Sequence, residues 1–134
     1  MRYDIITIFP KIFNGFTGES LLARAQKKHL IKINLHNLRR WASDRHRTVD
    51  DRPFGGGPGM VLKIEPIAKA LKTIKLKTGK TRIILFSPRG KKFNQSDAKR
   101  LAKYAQLVLL CGRYEGVDER VANYLADEVI SIGD

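Results

Sequence analysis

Residues 81–116, TRIILFSPRGKKFNQSDAKRLAKYAQLVLLCGRYEG, contain the pattern that decides the fold. Two apolar runs, Thr81 to Phe86 and Gln106 to Cys111, have the length and composition of buried strands. Between them, Asn94 and Asp97 have the spacing of a capping box, which predicts the start of a helix. A strand, a helix and a second strand in this order predict two parallel strands joined by a helical crossover.

The same alternation extends in both directions along the chain. Strands are predicted over residues 3–9, 31–36, 60–62 and 128–132, and helices over residues 11–16, 20–28, 65–76 and 117–125. Ser20 is the predicted N-cap of the second helix. The stretch from Arg39 to Gly59 lacks periodicity and predicts a long loop that is either functional or disordered. Together these elements predict one α/β domain with a mostly parallel sheet and helices on both faces.

The composition is strongly basic. Lys and Arg total 26 against 13 Asp and Glu, which gives a net charge of +13 and a pI near 10.2. This charge favours a polyanionic partner, either nucleic acid or an anionic membrane surface, with an evenly spread solubility charge as the alternative. One cysteine excludes an internal disulfide and a cysteine-based zinc site. The apolar runs are too short to span a bilayer and no signal peptide is recognisable, so we expect a cytoplasmic protein.

Three predicted strands end in short polar loops that contain glycine. The loops are Ser87–Gly90, Gly112–Gly116 and Ser131–Asp134. Because the carboxyl ends of parallel strands share one edge of the sheet, the loops together predict a small-molecule pocket there. Each glycine taken singly is as well explained by a tight turn. Residues 55–59, GGGPG, lack the ending of a P-loop, so a cofactor bound without pyrophosphate contacts is favoured over NAD or ATP.

The aperiodic stretch ahead of these glycines is rich in arginine. Its charged and aromatic residues are Arg39, Arg40, Trp41, Asp44, Arg45, His46, Arg47, Asp50, Asp51 and Arg52. Arginine forks suit phosphate oxygens and tryptophan stacks on unpaired bases, which predicts a loop that clamps RNA. A solvated linker and an arginine–carboxylate network that orders the loop are the alternatives. No histidine pair has the spacing of metal ligands, so no metal site is predicted.

Two residues in and beside the second loop carry groups that could take part in chemistry. Cys111 ends a buried strand and is interpreted as a core residue rather than a nucleophile. Glu115 is the carboxylate best placed for catalysis, although an ion pair with Arg113 is the commoner reason for such neighbours.

Long motifs carry a family resemblance. Residues 44–60, DRHRTVDDRPFGGGPGM, and 111–120, CGRYEGVDER, with SPRG at 87–90, SIGD at 131–134 and ITIFP at 6–10, resemble the bacterial tRNA (guanine-N1)-methyltransferases of the knotted SPOUT superfamily. The resemblance covers the whole chain. It implies a SPOUT-like domain over residues 1–134 that binds S-adenosylmethionine. It also implies methyl transfer to N1 of the guanine at tRNA position 37, next to the anticodon.

The resemblance further implies which residues form the sites. A bent cofactor would be lined by Phe86, Ser87, Pro88, Gly112, Tyr114, Glu115, Ile132, Gly133 and Asp134. The RNA-binding residues would be Arg45, His46, Arg47, Asp50, Arg52, Gly55, Gly56, Gly57 and Gly59. The segment that holds them would also contact the second subunit of a homodimer. The target base lies in a single-stranded loop, where flipping a base out of the stack costs little.

The implied chemistry needs a general base, because N1 of guanine carries a proton near neutral pH. The family assigns this role to an aspartate downstream of the SIGD motif, whereas Asp134 is the last residue here. The knot-forming C-terminal segment and the C-terminal domain are likewise absent. We therefore expect an incomplete cofactor pocket, Glu115 as the one catalytic candidate in the chain, and reduced or absent activity unless a partner supplies the remainder.

Two other functions stay open at this point. The first alternative is a non-catalytic basic RNA-binding module derived from the same family. The second is a small nucleotide-binding protein unrelated to RNA, which would leave the net charge of +13 unexplained. The family also allows magnesium as a cofactor, although no metal-ligand spacing is present in the sequence.

Overall fold

The structure is a computed structural model that describes residues 1–52, 56, 59–112 and 116–133. The strands are β1 (Arg2–Thr7), β2 (Lys32–Asn37), β3 (Asp50–Asp51), β4 (Val61–Leu62), β5 (Thr81–Lys92), β6 (Gln106–Cys111) and β7 (Glu128–Ser131). The helices are α1 (Asn14–Thr17), α2 (Ser20–Lys27), α3 (Ile64–Ile74) and α4 (Gln95–Leu101). Short 3-10 turns cover Pro10–Phe13 and Leu38–Trp41, and a π-helical turn covers Val121–Leu125.

Five strands form one parallel sheet in the order β2-β1-β6-β5-β7. The last two strands of the sequence therefore take up separate places in the sheet. Strand β6 lies at the centre, between β1 and β5, and β7 forms the edge beside β5. Arg2 of β1 faces Lys32 of β2 on one side and Gln106 of β6 on the other. The predicted α/β class with a mostly parallel sheet is confirmed.

Apolar side chains cover both faces of this sheet. Alternating residues of β5 point to opposite sides, so Ile83 and Leu85 join one core cluster while Ile84 joins the other. Helix α3 packs its apolar face, including Ile67 and Ala70, into the first cluster. Helix α4 contributes Leu101 to the second cluster. Helices on both faces are thus confirmed. Among the described residues no helix has the length and apolarity that crossing a bilayer requires.

A buried carboxylate joins the three strands on the β2 side of the sheet. Asp4 of β1 is 0% exposed and accepts hydrogen bonds from Arg2 Nε at 2.8 Å and Asn34 Nδ2 at 3.2 Å. His36 Nε2 lies 2.8 Å from the same carboxylate, and Gln106 Nε2 donates to it at 2.7 Å. Burial alone raises the pKa of a carboxyl group, but here the hydrogen bonds from Arg2, Gln106 and His36 together hold the pKa below its ordinary value of 3.8.

Gln106 extends this network towards α3 and β5. Its amide also donates to the carbonyl of Ile74 at 3.0 Å, and its Oε1 accepts from Leu76 N and Thr81 Oγ1, both at 2.9 Å. The end of α3 and the start of β5 are therefore held at the amino end of β6. Because the side chain of Gln106 is fully buried, its bonds to Asp4 and Ile74 form away from water and are strengthened by the low local dielectric.

The prediction that the strand ends at Phe86 and is followed by a loop over Ser87–Gly90 is wrong, because β5 continues to Lys92. Phe86 and Lys91 both face Ile130 of β7, so the residues between them bulge out of the ladder. Gly90 lies close to the neighbouring backbone, and a Cβ atom there would be 2.6 Å from Ile130 N. Backbone pairing with a strand 40 positions further along, which no local pattern reveals, extends β5.

Smaller differences concern the ends of helices. Ser20, the predicted N-cap, is instead the first residue of α2, and Glu19 precedes it as the cap. The predicted helix 117–125 contains a π-helical turn over Val121–Leu125, and Val117 forms a parallel bridge with Leu62. The predicted capping box of Asn94 and Asp97 is confirmed, with reciprocal bonds of 2.9 and 3.1 Å.

Gly90→Ala tests the close approach of β5 and β7. The added methyl group would meet the backbone of Val129 and Ile130 within 2.7 Å, so the strands must separate. We expect a loss of about 1–3 kcal/mol in the free energy of unfolding, as for other overpacked sites. Gly15→Ala is the control, because a Cβ at Gly15 meets nothing within 4 Å. Equal denaturation midpoints in urea for the two variants would contradict the described bulge.

Asp4→Asn tests the buried carboxylate. Because folding lowers the pKa of Asp4, its stabilisation is present above the ordinary carboxyl pKa of 3.8 and is lost as the pH falls through the folded value. We expect the variant to lose about 3 kcal/mol or more at pH 7 and to show a weaker decline in stability below about pH 4. Urea denaturation from pH 2.5 to 7 measures both effects, with exposed Glu19→Gln as the control. An acid decline of unchanged depth in the Asp4 variant would be inconsistent with this assignment.

Candidate functional site

Three segments of the chain meet in one row at the carboxyl edge of the sheet. Phe86 of β5 faces Cys111 of β6 on one side and Ile130 of β7 on the other. The residues that follow each of them, Ser87, Gly112 and Ser131, consequently emerge beside one another. The sequence predicted this meeting of three loops from the parallel order of the strands, although the first loop is a bulge within β5.

The segment after β7 presents apolar surface and a backbone turn held by hydrogen bonds. Ile132 is 80% exposed, which is unusual for a large apolar side chain, and Gly133 has a φ of 139°, a conformation that favours glycine. Ser131 Oγ donates to the carbonyl of Gly133 at 3.1 Å, which curls the segment back on the strand end. Phe93 N bonds the carbonyl of Ser131 at 2.8 Å and ties the far end of β5 to this turn.

The residues predicted to bind the cofactor fall into two groups. Phe86, Ser87 and Gly133 are half-buried, while Pro88, Gly112 and Ile132 are exposed at the same edge. Tyr114, Glu115 and Asp134 lie outside the described residues, and so does the alternative ion pair of Arg113 with Glu115. The structure thus brings six of the predicted residues together at the strand ends. Their role in binding stays a prediction.

The chemical character of these side chains is compatible with a cofactor that contains an adenine, such as S-adenosylmethionine. The half-buried ring of Phe86 and the exposed side chain of Ile132 offer apolar surface for an adenine. Gly112 has no side chain, and a Cβ there would only reach ordinary contact with Val117 Cγ1 at 3.5 Å, so backbone groups are open to a ligand. No pyrophosphate-binding helix N-terminus is required for a cofactor of this kind.

The short strand β4 connects this edge to the glycine-rich stretch. Leu62 N donates to the carbonyl of Gly116 at 3.1 Å, and Asp118 N donates to the carbonyl of Leu62 at 3.0 Å. On its other side β4 pairs antiparallel with β3, where Asp50 faces Leu62. The pair β3–β4 is therefore held next to residues 116–118. Sequence reasoning missed this link, since two-residue strands carry no periodicity.

Four cationic or imidazole side chains of the arginine-rich stretch are exposed to solvent. Arg45, His46, Arg47 and Arg52 are exposed, and within the described ranges none of the four forms an ion pair. Asp44 instead accepts hydrogen bonds from Thr48 N at 2.7 Å and Thr48 Oγ1 at 2.5 Å, which lower its pKa. Within the described ranges, no ion pair of the alternative arginine–carboxylate network is formed by these residues.

The glycines and Trp41 complete the description of this stretch. Gly56 and Gly59 have φ values of 93° and 82°, in the left-handed region that favours glycine, while Gly55 and Gly57 lie outside the described residues. Trp41 is half-buried and lines a cavity of about 240 Å³ together with Thr48 and Asp51. Arg40 lies over its ring at 5.5 Å from the centroid.

The two described carboxylates that closely follow Gly116, Asp118 and Glu119, both lie beside arginine side chains. Asp118 accepts from Arg120 Nη2 at 2.6 Å and Nε at 3.0 Å, and these bonds lower its pKa. Glu119 is largely exposed and lies 4.0 Å from Arg89 Nη1. In the part of the chain that the structure describes, no group of histidine, cysteine, aspartate or glutamate side chains could hold a metal ion.

Comparisons with known proteins agree on one family. A family model described as tRNA (Guanine-1)-methyltransferase TrmD matches residues 1–134. Among curated proteins, the tRNA (guanine-N(1)-)-methyltransferases of Geobacter sulfurreducens and Chloroflexus aggregans are 48% and 52% identical over 134 and 136 residues. All of this chain is covered, with 55% and 53% of those relatives. The chain spans about half the length of the curated relatives that it matches.

The reactivity of Cys111 tests the interpretation of this residue as part of the core. Burial raises the pKa of its thiol to about 11, so the group is protonated and unreactive at neutral pH. We expect alkylation by iodoacetamide to accelerate about tenfold per pH unit up to pH 10 in the folded protein, because the thiolate fraction keeps rising. In urea the rate should level off near pH 9. A plateau at that pH in the folded protein would contradict the assignment.

Proposed function

Because the chain belongs to the tRNA (guanine-1)-methyltransferase TrmD family, we propose that the protein transfers a methyl group to N1 of guanine at tRNA position 37. The cofactor is S-adenosylmethionine, which supplies the methyl group on an activated sulfonium. The observation that carries this proposal is the contact of β4 with residues 116–118. It holds β3, at the end of the arginine-rich stretch, beside residues 116–118, which follow β6 at the carboxyl edge.

The two halves of this arrangement have different tasks. Phe86, Gly112 and Ile132 contact the cofactor and fix its orientation at the strand ends. Arg45 and Arg47, which are exposed and without carboxylate partners in the described ranges, bind phosphate oxygens of the RNA. A reacting base brought between the two would meet the methyl group in a fixed direction, which supplies much of the catalytic effect.

We assign the removal of the N1 proton of guanine to a residue other than the described carboxylates. Arg120 lowers the pKa of Asp118, so this group is a weak proton acceptor. Glu115 remains a candidate for contact with the base, and the family resemblance attributes the general base to an aspartate that has no counterpart among residues 1–134. No step is assigned to magnesium, because the described residues do not offer it a ligand set.

The partners and location follow from the same proposal. The substrate is tRNA, a second copy of the protein completes the site as a homodimer, and the reaction takes place in the cytoplasm. The stretch from Arg45 to Arg52 would then contact both the RNA and the second subunit through its exposed side chains. A non-catalytic RNA-binding module remains as one outcome of the test, namely RNA binding without methyl transfer.

Transfer of tritium from S-[methyl-³H]adenosylmethionine to tRNA transcripts tests the activity. We expect incorporation with guanine at position 37 and none when adenine replaces it, using the whole gene product. Mapping the product by reverse transcription should show a stop at that base, because methylated N1 blocks pairing. Binding of both transcripts with no incorporation into either would overturn the assignment in favour of the RNA-binding module.

Ile132→Lys tests the cofactor surface. Ile132 is 80% exposed, so the change leaves folding intact while it removes apolar contact and places a cation near the sulfonium. We expect the dissociation constant for S-adenosylmethionine, measured by titration calorimetry, to rise about tenfold or more, since about 1.4 kcal/mol suffices for a factor of ten. Leu21→Lys, at a position 74% exposed on α2, is the matched control. Equal affinities of the two variants would remove Ile132 from the cofactor site.

A further inference from the structure

A second basic surface lies at the amino edge of the sheet, opposite the candidate site. It consists of exposed lysines that precede β2, β5 and β6 or begin them, and we call it the amino-edge lysine surface. Its members are Lys28, Lys32, Lys75, Lys77, Lys80 and Lys103. Neither the resemblance nor the sequence motifs assign any role to these residues.

Backbone hydrogen bonds hold the members of this surface side by side. Lys32 N donates to the carbonyl of Met1 at 3.0 Å, and Arg2 N donates to the carbonyl of Ala105 at 2.9 Å. Ala105 N donates in turn to the carbonyl of Lys80, also at 2.9 Å. The amino ends of β2, β1, β6 and β5 thus form one row, which spans roughly 14 Å at the usual distance between strands.

The charge of this surface is unbalanced. Residues 27–32, 72–81 and 99–106 contain no aspartate or glutamate, and none of the six lysines forms an ion pair within the described part of the chain. The carboxylates at the start of β7 are already engaged. Asp127 accepts from Ile83 N at 2.8 Å, and Glu128 binds both Arg82 and Arg100.

The neighbouring buried groups leave this charge unopposed as well. Asp4 is fully buried and bonded to Arg2, so it neutralises that arginine and none of the lysines. Beside the row, Lys32 and His29 line an open cavity of about 740 Å³. Six like charges in this arrangement repel one another, which disfavours the compact state unless a polyanion is bound.

We propose that the amino-edge lysine surface binds the phosphate backbone of RNA, independently of base sequence. Lysine is a compact charge without the fork that reads bases, and the row lacks an exposed aromatic ring on which a base could stack. The described aromatic residues nearby, Tyr3 and Tyr104, are half-buried, and Tyr104 packs under Arg82.

RNA fits this surface better than an anionic membrane does. Peripheral membrane binding combines basic side chains with several apolar ones that insert into the interface. At the amino edge Leu30 is the one exposed large apolar residue among those described. Phe9, Ile12 and Phe16, which are also exposed, follow the carboxyl end of β1 and so belong to the opposite edge.

This inference rests on the proposed function for the identity of the RNA and extends it to a second contact. Strands of six residues separate the two edges by roughly 20 Å, a distance shorter than a duplex arm of a folded RNA. A tRNA whose target base is at the carboxyl edge therefore has phosphates within reach of the lysines. The lysines would add affinity while leaving the choice of base to the candidate site.

The test compares two triple variants of equal net charge in the whole gene product. K32Q/K77Q/K80Q removes three charges from the amino-edge lysine surface, and R24Q/K69Q/K99Q removes three exposed charges from α2, α3 and α4. The association constant K for the binding of tRNA, and of an unrelated structured RNA, is measured by fluorescence anisotropy between about 50 and 200 mM salt. Circular dichroism and calorimetry with S-adenosylmethionine verify that each variant folds and binds the cofactor.

For K32Q/K77Q/K80Q we expect the slope of log K against log salt to fall by about 2–3, since each lost phosphate contact removes roughly 0.7–0.9. Affinity at about 100 mM salt should drop about 10- to 100-fold for both RNAs alike. The control should keep the slope of the unmodified protein. Unchanged cofactor affinity would separate this result from a failure of the proposed function.

Three results would overturn the inference. Equal losses in both variants would mean that affinity depends on total charge rather than on this surface. RNA binding as strong as that of the unmodified protein would mean that the lysines do not contact RNA. Binding to phosphatidylserine vesicles that the triple change abolishes, with RNA affinity unaltered, would assign the surface to a membrane. Absence of methyl transfer in the unmodified protein, together with RNA binding that K32Q/K77Q/K80Q weakens, would instead concern the proposed function alone.

Discussion

The carboxylate of Asp4, buried among four donors, is the interaction on which the rest of the structure depends. It fixes β2 and β6 against β1 in one register, and Gln106 carries the same network to the end of α3 and the start of β5. An ion in this position is tolerated only because Arg2 and the amide donors replace its hydration. Register fixed at the amino ends of neighbouring strands also fixes which residues face each other at the carboxyl ends. At the far end of β5 and β6, this register places Phe86 opposite Cys111, and Ile130 of β7 lies on the other side of Phe86.

Local patterns were sufficient for most of the sheet and for one edge of the site. The apolar runs of β5 and β6 and the capping box at Asn94 each depend on residues within one turn or one strand, so the sequence predicts them correctly. The meeting of three loops followed from parallel order alone. Cys111 is half-buried with a raised pKa, as its position at the end of an apolar strand suggested.

What the sequence could not reveal depends on backbone partners far along the chain. The continuation of β5 beyond Phe86 arises from pairing with β7. A glycine is required at position 90 because the backbone of Val129 and Ile130 lies too close for a side chain, and not because of a tight turn. The link between β4 and Gly116 consists of two backbone bonds and has no side-chain signature. The sequence also left open which group Asp44 binds, and within the described ranges its partner is Thr48 rather than an arginine.

The insertion of β6 between β1 and β5 has a consequence for the order of assembly. When the first hundred residues have left the ribosome, β1 can pair only with β2, and the core cluster around Ile6 lacks Val108 and Leu110 of β6. The centre of the sheet closes after β6 arrives, through contacts between residues about 100 positions apart. Such high contact order slows folding and leaves unpaired strand edges on the nascent chain. Synthesis of this protein should accordingly pass through a stage that attracts chaperones, and its yield should depend on how fast translation reaches Cys111.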